Sequence, residues 1–175
     1  MEQVVLVDEN DREIGLMEKQ RAHEEGRLHR AFSVLIFNDK NEMLIHQRAL
    51  NKYHCGGLWT NACCSHPRQN ESPAAAAKRR LQEEMGFTTD VHFVDSFVYK
   101  AAIDNGLTEY EFDHLFIGKH NEAPSPSPEE VADWKYIQID ELINDIEAHP
   151  EKYTIWFITI VKAHLTNALK KLNHV

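Results

Sequence analysis

The chain lacks any apolar run long enough to span a membrane, any excess of basic charge and any paired cysteine framework, and each absence removes a class of function. Of its 175 residues 42% are hydrophobic and 27% charged, close to the globular average, so neither disorder nor a membrane span is expected. The amino-terminal MEQVVLVDENDREIG interrupts its apolar run with acids before it could act as a signal or transit sequence, so export is not expected. A formal net charge of -9 leaves no broad basic surface to neutralise a phosphate backbone, which argues against nucleic acid as a partner. Only three cysteines occur, Cys55, Cys63 and Cys64. An odd number with two adjacent suits free thiols in a reducing, cytoplasmic setting better than disulfides. No second C-x2-C or H-x3-H pair accompanies them, as a structural zinc site would require. There is no internal repeat and no composition break, so residues 1–175 are expected to form one domain.

What is present alternates short strands with helices. Val4 to Val7 reads as a strand, and Met17 to Glu25 as a helix stopped by Gly26. Arg30 to Phe37 reads as a buried strand, and Met43 to Arg48 as its hairpin partner across the turn NDKNE. The clearest helix runs from the N-cap Ser72 and Pro73 through AAAAKRRLQEEM to Gly86. Val91 to Ala101 and Glu109 to Gly118 form a second hairpin around Asn105-Gly106. EAPSPSPEE, Glu122 to Glu130, carries too many prolines for a regular element. A strand near Trp134 to Ile137, a helix from Asp140 to Ala148 and a long helix from Thr154 to about Leu172 complete the chain.

Three segments carry chemistry. Glu71, Arg79, Leu81, Glu83, Glu84, Gly86 and Phe87 match the Nudix pattern G-x5-E-x7-R-E-U-x-E-E-x-G-U, with Ser65 in place of the first glycine and Arg80 in place of a glutamate. Acids one turn apart on a helix suit a hard cation bound together with phosphates. Arg80 and Glu84, at i and i+4, set an anion-binding guanidinium beside such an acid, so the helix is expected to hold a diphosphate without assembling the metal cluster that cleaves one. An ordinary solvated helix with Arg79–Glu83 and Arg80–Glu84 pairs is the plainer reading. Upstream of it, LWTNACCSHP aims Cys64 and His66 the same way if extended. TEYEFD places Glu109, Glu111 and Asp113 on one strand face, an arrangement that is costly unless it meets water or a cation. With His23 and His29, the set of three histidines and two glutamates suits a divalent metal with one position left for water or substrate.

Together these features resemble type I isopentenyl diphosphate isomerase, from about Lys19 to Trp156. The resemblance rests on the T-N-x-x-C-x-H-P loop, the histidine pair before it, the arginine-substituted Nudix helix and the late E-x-E strand. It implies an α/β (α+β) fold, a Nudix-like α/β/α sandwich with a mixed central sheet flanked by helices. By that similarity His23, His29, His66, Glu109 and Glu111 bind a catalytic divalent metal (Mn, Zn or Mg). Glu84 helps to bind Mg accompanying the diphosphate, and no flavin is involved. Lys19, Arg48, Lys52 and Arg80 fall where the family's cationic diphosphate contacts lie. Cys64 and Glu111 face each other across the substrate, with Tyr99 beside Glu111 and Trp156 over the reacting carbons. Seen alone, Lys19 is an ordinary surface charge, and Tyr99 and Trp156 are ordinary core residues. Where many bacterial members carry Pro-Gly, this chain has Gly56-Gly57.

The implied activity is interconversion of isopentenyl and dimethylallyl diphosphate in isoprenoid biosynthesis, through a tertiary carbocation. The partner is then a small diphosphate, with no nucleic acid and no membrane, and monomer and dimer both remain open. Glu111 is read as the acid and Cys64 as the thiolate base, with the reverse assignment nearly as well supported. The competing readings are a Nudix pyrophosphohydrolase of a nucleoside diphosphate derivative and a catalytically silent diphosphate-binding module.

Overall fold

β1 (Gln3–Val7) buries Val4 to Val7 and pairs antiparallel with β2 (Glu13–Glu18) in the computed structural model, which describes residues 1–175. β2 corrects the sequence reading. Met17 and Glu18 pair with Val4 and Gln3, so α1 (Lys19–Glu25) starts two residues later than expected. A short helix is marginal by itself, and ladder hydrogen bonds to a buried strand outcompete its first turn. Gly26 ends α1 at φ 61°, its N–H bonded to the carbonyl of Ala22.

β3 (His29–Phe37) is the central strand. On one side it runs parallel to β8 (Thr108–Lys119) along its whole length. On the other it meets β4 (Glu42–Arg48) only at Ile36↔Leu44 and Phe37↔Met43. The expected hairpin is therefore confined to its turn, while the other edge of β4 pairs with β9 (Val131–Gln138) from Glu42 to Arg48. The gap is filled by β6 (Cys63–Ser65), antiparallel to Phe32 to Val34, while β5 (Trp59–Thr60) pairs with β4. β7 (Val91–Ala102) and β8 form the second hairpin, closed by a turn in which Asn105 and Gly106 both have positive φ.

Two cores cover the mixed sheet. On one face α2 (Pro73–Met85) packs Leu81 and Met85 over Phe32, Val34, Ile36 and Leu44. On the other, α3 (Ile139–Ala148), α4 (Ile155–Ala163) and α5 (Leu165–Leu172) pack Leu142, Phe157 and Leu165 over Leu35, Phe37 and Met43. Alternate residues of β3 thus face opposite layers, giving the expected α/β/α sandwich. α2 begins with Ser72 Oγ accepting from Ala75 N at 3.2 Å and ends at Gly86. A side chain at Gly86 would meet the carbonyl oxygen of Ser125 at 2.2 Å, because the proline-rich loop caps this helix end. The single long carboxy-terminal helix breaks at His164, whose ring stacks on Phe97 at 4.1 Å and whose Nδ1 lies 3.1 Å from Asp95. That tie to β7 replaces helical continuation. No helix is long and apolar enough to cross a membrane.

Candidate active site

The parallel register sets His29 directly beside Glu111. Strand alternation then buries Glu109, Glu111 and Asp113 on one side of β8, and His23 arrives from the last turn of α1 and His66 from just beyond β6. His23 Nδ1 donates to the carbonyl of Lys19 at 2.7 Å and His29 Nδ1 to that of Arg27 at 2.8 Å. These bonds turn both Nε2 lone pairs inward. His29 Nε2 and His66 Nε2 lie 3.2 Å apart, and Glu111 Oε1 lies 3.4 Å and 3.1 Å from them. Ligand atoms of His23, His29, His66 and Glu111 all fall within 4.8 Å of one another. Lone pairs aimed at each other with so few donors between them fit a divalent cation of mixed nitrogen and oxygen preference. Glu109, expected as a fifth ligand, stands one step aside, its oxygens 3.1 Å from His23 Nε2 and 3.4 Å from His54 Nε2.

Burial dominates the electrostatics. It pushes His66 down to about 4, and burial together with the Arg48 guanidinium takes His54 to about 2, so both rings are neutral. Burial and the charge of Glu111 drive Glu109 well above the usual carboxylate range. Burial would raise Glu111 as well, but the neighbouring His29 and His66 imidazoles outweigh it and hold Glu111 well below that range.

Cys64 and Glu111 come from opposite flanks of β3, Cys64 through the β6 pairing at Ser33 and Glu111 through the β8 pairing at His29. Both open onto one cavity, which Tyr99 and Trp156 also line. Tyr99 O–H donates to Glu111 Oε2 at 2.6 Å. Trp156, 3% exposed on the first turn of α4, donates its indole N–H to Thr60 Oγ1 at 3.0 Å. Burial, opposed by Arg48 and aided by Glu84 and Glu111, pushes the Cys64 thiol up to about 12.

The same cavity is also lined by the cations Lys19, Arg48, Lys52 and Arg80, with the Arg48 guanidinium 5.4 Å from the centre of the Trp156 ring. Lys19 pairs with Glu2 at 3.0 Å and Lys52 with Glu130 at 2.5 Å. Arg80 reaches Glu84 at 2.5 Å, Glu83 at 2.7 Å and Glu130 at 3.4 Å. Arg79 is held bidentately by Glu71 at 2.7 and 2.8 Å, which makes it a brace for α2 and leaves Arg80 facing the cavity. The Arg79–Glu83 and Arg80–Glu84 pairs of the plainer reading also form. Glu84, 5% exposed, lines the cavity against Arg80 and lies outside the histidine cluster.

Tyr53, His54 and Glu130 were not singled out by sequence, yet all three line the cavity. Tyr53 O–H sits 3.2 Å from His23 Nδ1. The first two lie in a glycine-containing turn and the third among adjacent acids of the proline-rich loop, where no periodicity marks a side chain as inward.

His46 on β4 carries a pH signature. It is 2% exposed, its Nδ1 has no hydrogen-bond partner, and burial and Arg48 lower it from 6.5 to about 3. Between those values the unfolded chain binds a proton that the folded one refuses. The stabilisation is complete above the unfolded value and is lost as pH falls toward the folded one, at about 1.4 kcal/mol per pH unit. Urea unfolding at pH 7, 6 and 5 is expected to show a shallower pH slope in His46→Asn; an unchanged slope would contradict the assignment.

The NUDIX domain family model matches residues 27–157. An isopentenyl-diphosphate Delta-isomerase of Serratia proteamaculans is 47% identical over 170 residues, covering 97% of this chain and 95% of the relative. Among solved structures, the DR0079 protein of Deinococcus radiodurans superposes with a TM-score of 0.70 at 17% identity, over 84% of this chain and 90% of that one. The Nudix hydrolase RenU of M. smegmatis does so at 0.58 and 16% identity, over 98% and 94% of the two chains. At these identities the structural likenesses speak for the fold alone.

Proposed function

The chain belongs to the isopentenyl-diphosphate Delta-isomerase family within the Nudix superfamily, and on that premise we propose how its own residues move the double bond. It interconverts isopentenyl and dimethylallyl diphosphate. A proton is added to the terminal alkene carbon, the charge settles on the adjacent tertiary carbon, and a proton leaves the carbon beyond it. Cys64 and Glu111 are the acid and base of this exchange. The observation that carries the reading is that both open onto one cavity from strands on opposite flanks of β3, as an exchange across a hydrocarbon requires.

An unactivated alkene is a poor match for a thiol or a carboxyl, so stabilisation of the cation must contribute. The buried face of Trp156 supplies on the order of 0.5 to 2 kcal/mol. Lys19, Arg48, Lys52 and Arg80 grip the diphosphate and fix the carbons between the two flanks, a positioning effect worth several kcal/mol more. Tyr99 orients Glu111 through its 2.6 Å hydrogen bond. His23, His29, His66 and Glu111, with Glu109, would hold the divalent metal (Zn, Mn or Mg), and Glu84 would join Mg at the diphosphate. A divalent cation held there would supply the positive charge that balances the buried Glu109 and Glu111 carboxylates. We place the activity in one domain of residues 1–175 and in the reducing cytoplasm, which suits three unpaired thiols.

Incubation with isopentenyl diphosphate in heavy water is expected to yield deuterated dimethylallyl diphosphate. Release of phosphate from nucleoside diphosphate derivatives without deuterium incorporation would favour the hydrolase reading and overturn this one.

A further inference from the structure

A second set of donors meets beside the cavity, where the β4–β5 loop touches the turn between β7 and β8. One imidazole nitrogen of His54, Cys55 Sγ and an Asp104 carboxylate oxygen lie within 4.8 Å of one another. The contact is built into the backbone, since Cys55 N–H donates to both Asp104 oxygens at 3.0 Å. Gly56 holds the loop in this shape, because a Cβ there would meet the carbonyl oxygen of Leu50 at 2.6 Å.

The state of His54 points to a ligand. Its side chain is 7% exposed and its Nε2 stands 3.4 Å from the Glu109 oxygen, an acceptor that favours a proton on Nε2. A proton on Nε2 leaves the lone pair on Nδ1, which is buried and has no hydrogen-bond partner. One nitrogen of this ring lies within 4.8 Å of a thiol sulfur and a carboxylate oxygen. We propose that His54 Nδ1, Cys55 Sγ and the Asp104 carboxylate form a binding site for a borderline-soft divalent cation, with Zn²⁺ the best match, separate from the His23/His29/His66/Glu111 cluster.

Zn²⁺ takes nitrogen, sulfur and oxygen together in tetrahedral geometry. Bond lengths of about 2.3 Å to sulfur and about 2.0 Å to oxygen make the S···O edge of such a site roughly 3.5 Å. Cys55 Sγ and Asp104 Oδ1 are already 3.7 Å apart. A water completes the fourth position. The nearest opposing charge is Arg48, which donates to the carbonyl of His54 at 3.1 Å; the Cys55 thiolate and Asp104 offset it. Burial and Asp104 push the Cys55 thiol up to about 12, so the cation displaces a proton and binds more tightly as pH rises. Occupancy clips the loop that carries Lys52 and Tyr53 to the β7–β8 turn and stabilises the fold by mass action.

Co²⁺ serves as the optical probe for Zn²⁺. Titrated into the full-length protein stripped of metal, in the presence of a non-thiol reductant, it is expected to produce a near-ultraviolet sulfur-to-cobalt charge-transfer band. The band is expected to persist in Cys64→Ala and disappear in Cys55→Ser. Asp104→Asn, at an exposed turn, is expected to weaken Co²⁺ binding read from this band by about tenfold or more. Cys55→Ser is expected to keep Mg²⁺-supported isomerisation within about twofold, which checks that the variant folds. Absence of the band in the parent, its survival in Cys55→Ser, or its loss in Cys64→Ala would each overturn the proposal. The band does not depend on turnover, so its failure is distinguishable from failure of the isomerase mechanism.

Discussion

Cys64→Ala is expected to abolish isomerisation while leaving diphosphate binding and the fold intact. Proton transfer by a positioned group is worth about 10²- to 10⁴-fold, and Ser65, the other β6 residue lining the cavity, offers only a hydroxyl, far harder to deprotonate than a thiol. His66 follows it, but His66 Nε2 faces Glu111 at 3.1 Å and belongs to the metal cluster. A fall in kcat of at least about 10³-fold is therefore expected. Binding of the substrate diphosphate depends on Lys19, Arg48, Lys52 and Arg80 and not on the thiol, so its Kd should stay within about threefold. Removing one sulfur from a half-buried wall position should cost about 1 kcal/mol of stability or less. Deuterium incorporation at saturating substrate, with calorimetric binding on the same preparation, checks both halves. Retention of a tenth or more of parental turnover would refute the acid–base role.

Glu111→Gln is expected to remove turnover and divalent-metal binding at the histidine cluster together. The carboxylate faces His29 and His66 at 3.4 and 3.1 Å and accepts from Tyr99 at 2.6 Å. Glutamine keeps the shape and can donate to an inward Nε2 lone pair, so the apo fold should be as stable as the parent or more so, one buried charge having been removed. The cation instead loses its only carboxylate within the four-residue cluster, and affinity should fall by about 100-fold or more. Metal content after gel filtration, thermal unfolding in chelator and isomerisation with added Mn²⁺ give three readouts. Parental metal content in the variant would show that the cluster does not centre on Glu111. Glu109→Gln is expected to cost less metal affinity, because its oxygens face only His23 and His54.

Local chemistry made much of this protein legible from its residues. α2 was readable to its ends because Ser72, Pro73 and Gly86 act within one turn of the helix they bound. The acid row was readable because alternation along a strand needs no partner to place Glu109, Glu111 and Asp113 on one side. The family motifs named Lys19, Arg48, Cys64, Arg80 and Glu111, all of which line one cavity. Helix α1 began late and β2 went unseen because Glu13 to Glu18 has no strong strand pattern of its own and becomes a strand through its pairing with buried β1.

Sequence alone thus determined the helix caps, the strand faces and the chemical identity of the groups. Tertiary structure decided which of them meet. The insertion of β6 beside β3, which sets Cys64 opposite the β8 flank, joins segments about 30 residues apart, and the β4–β9 pairing joins segments more than 80 apart. The approach of Cys55 to Asp104 and of His54 to Glu109 likewise joins loops that share no periodicity. Such contacts are settled by sheet register and by the burial of two cores on opposite faces, quantities that belong to the whole chain and leave no mark in any one segment.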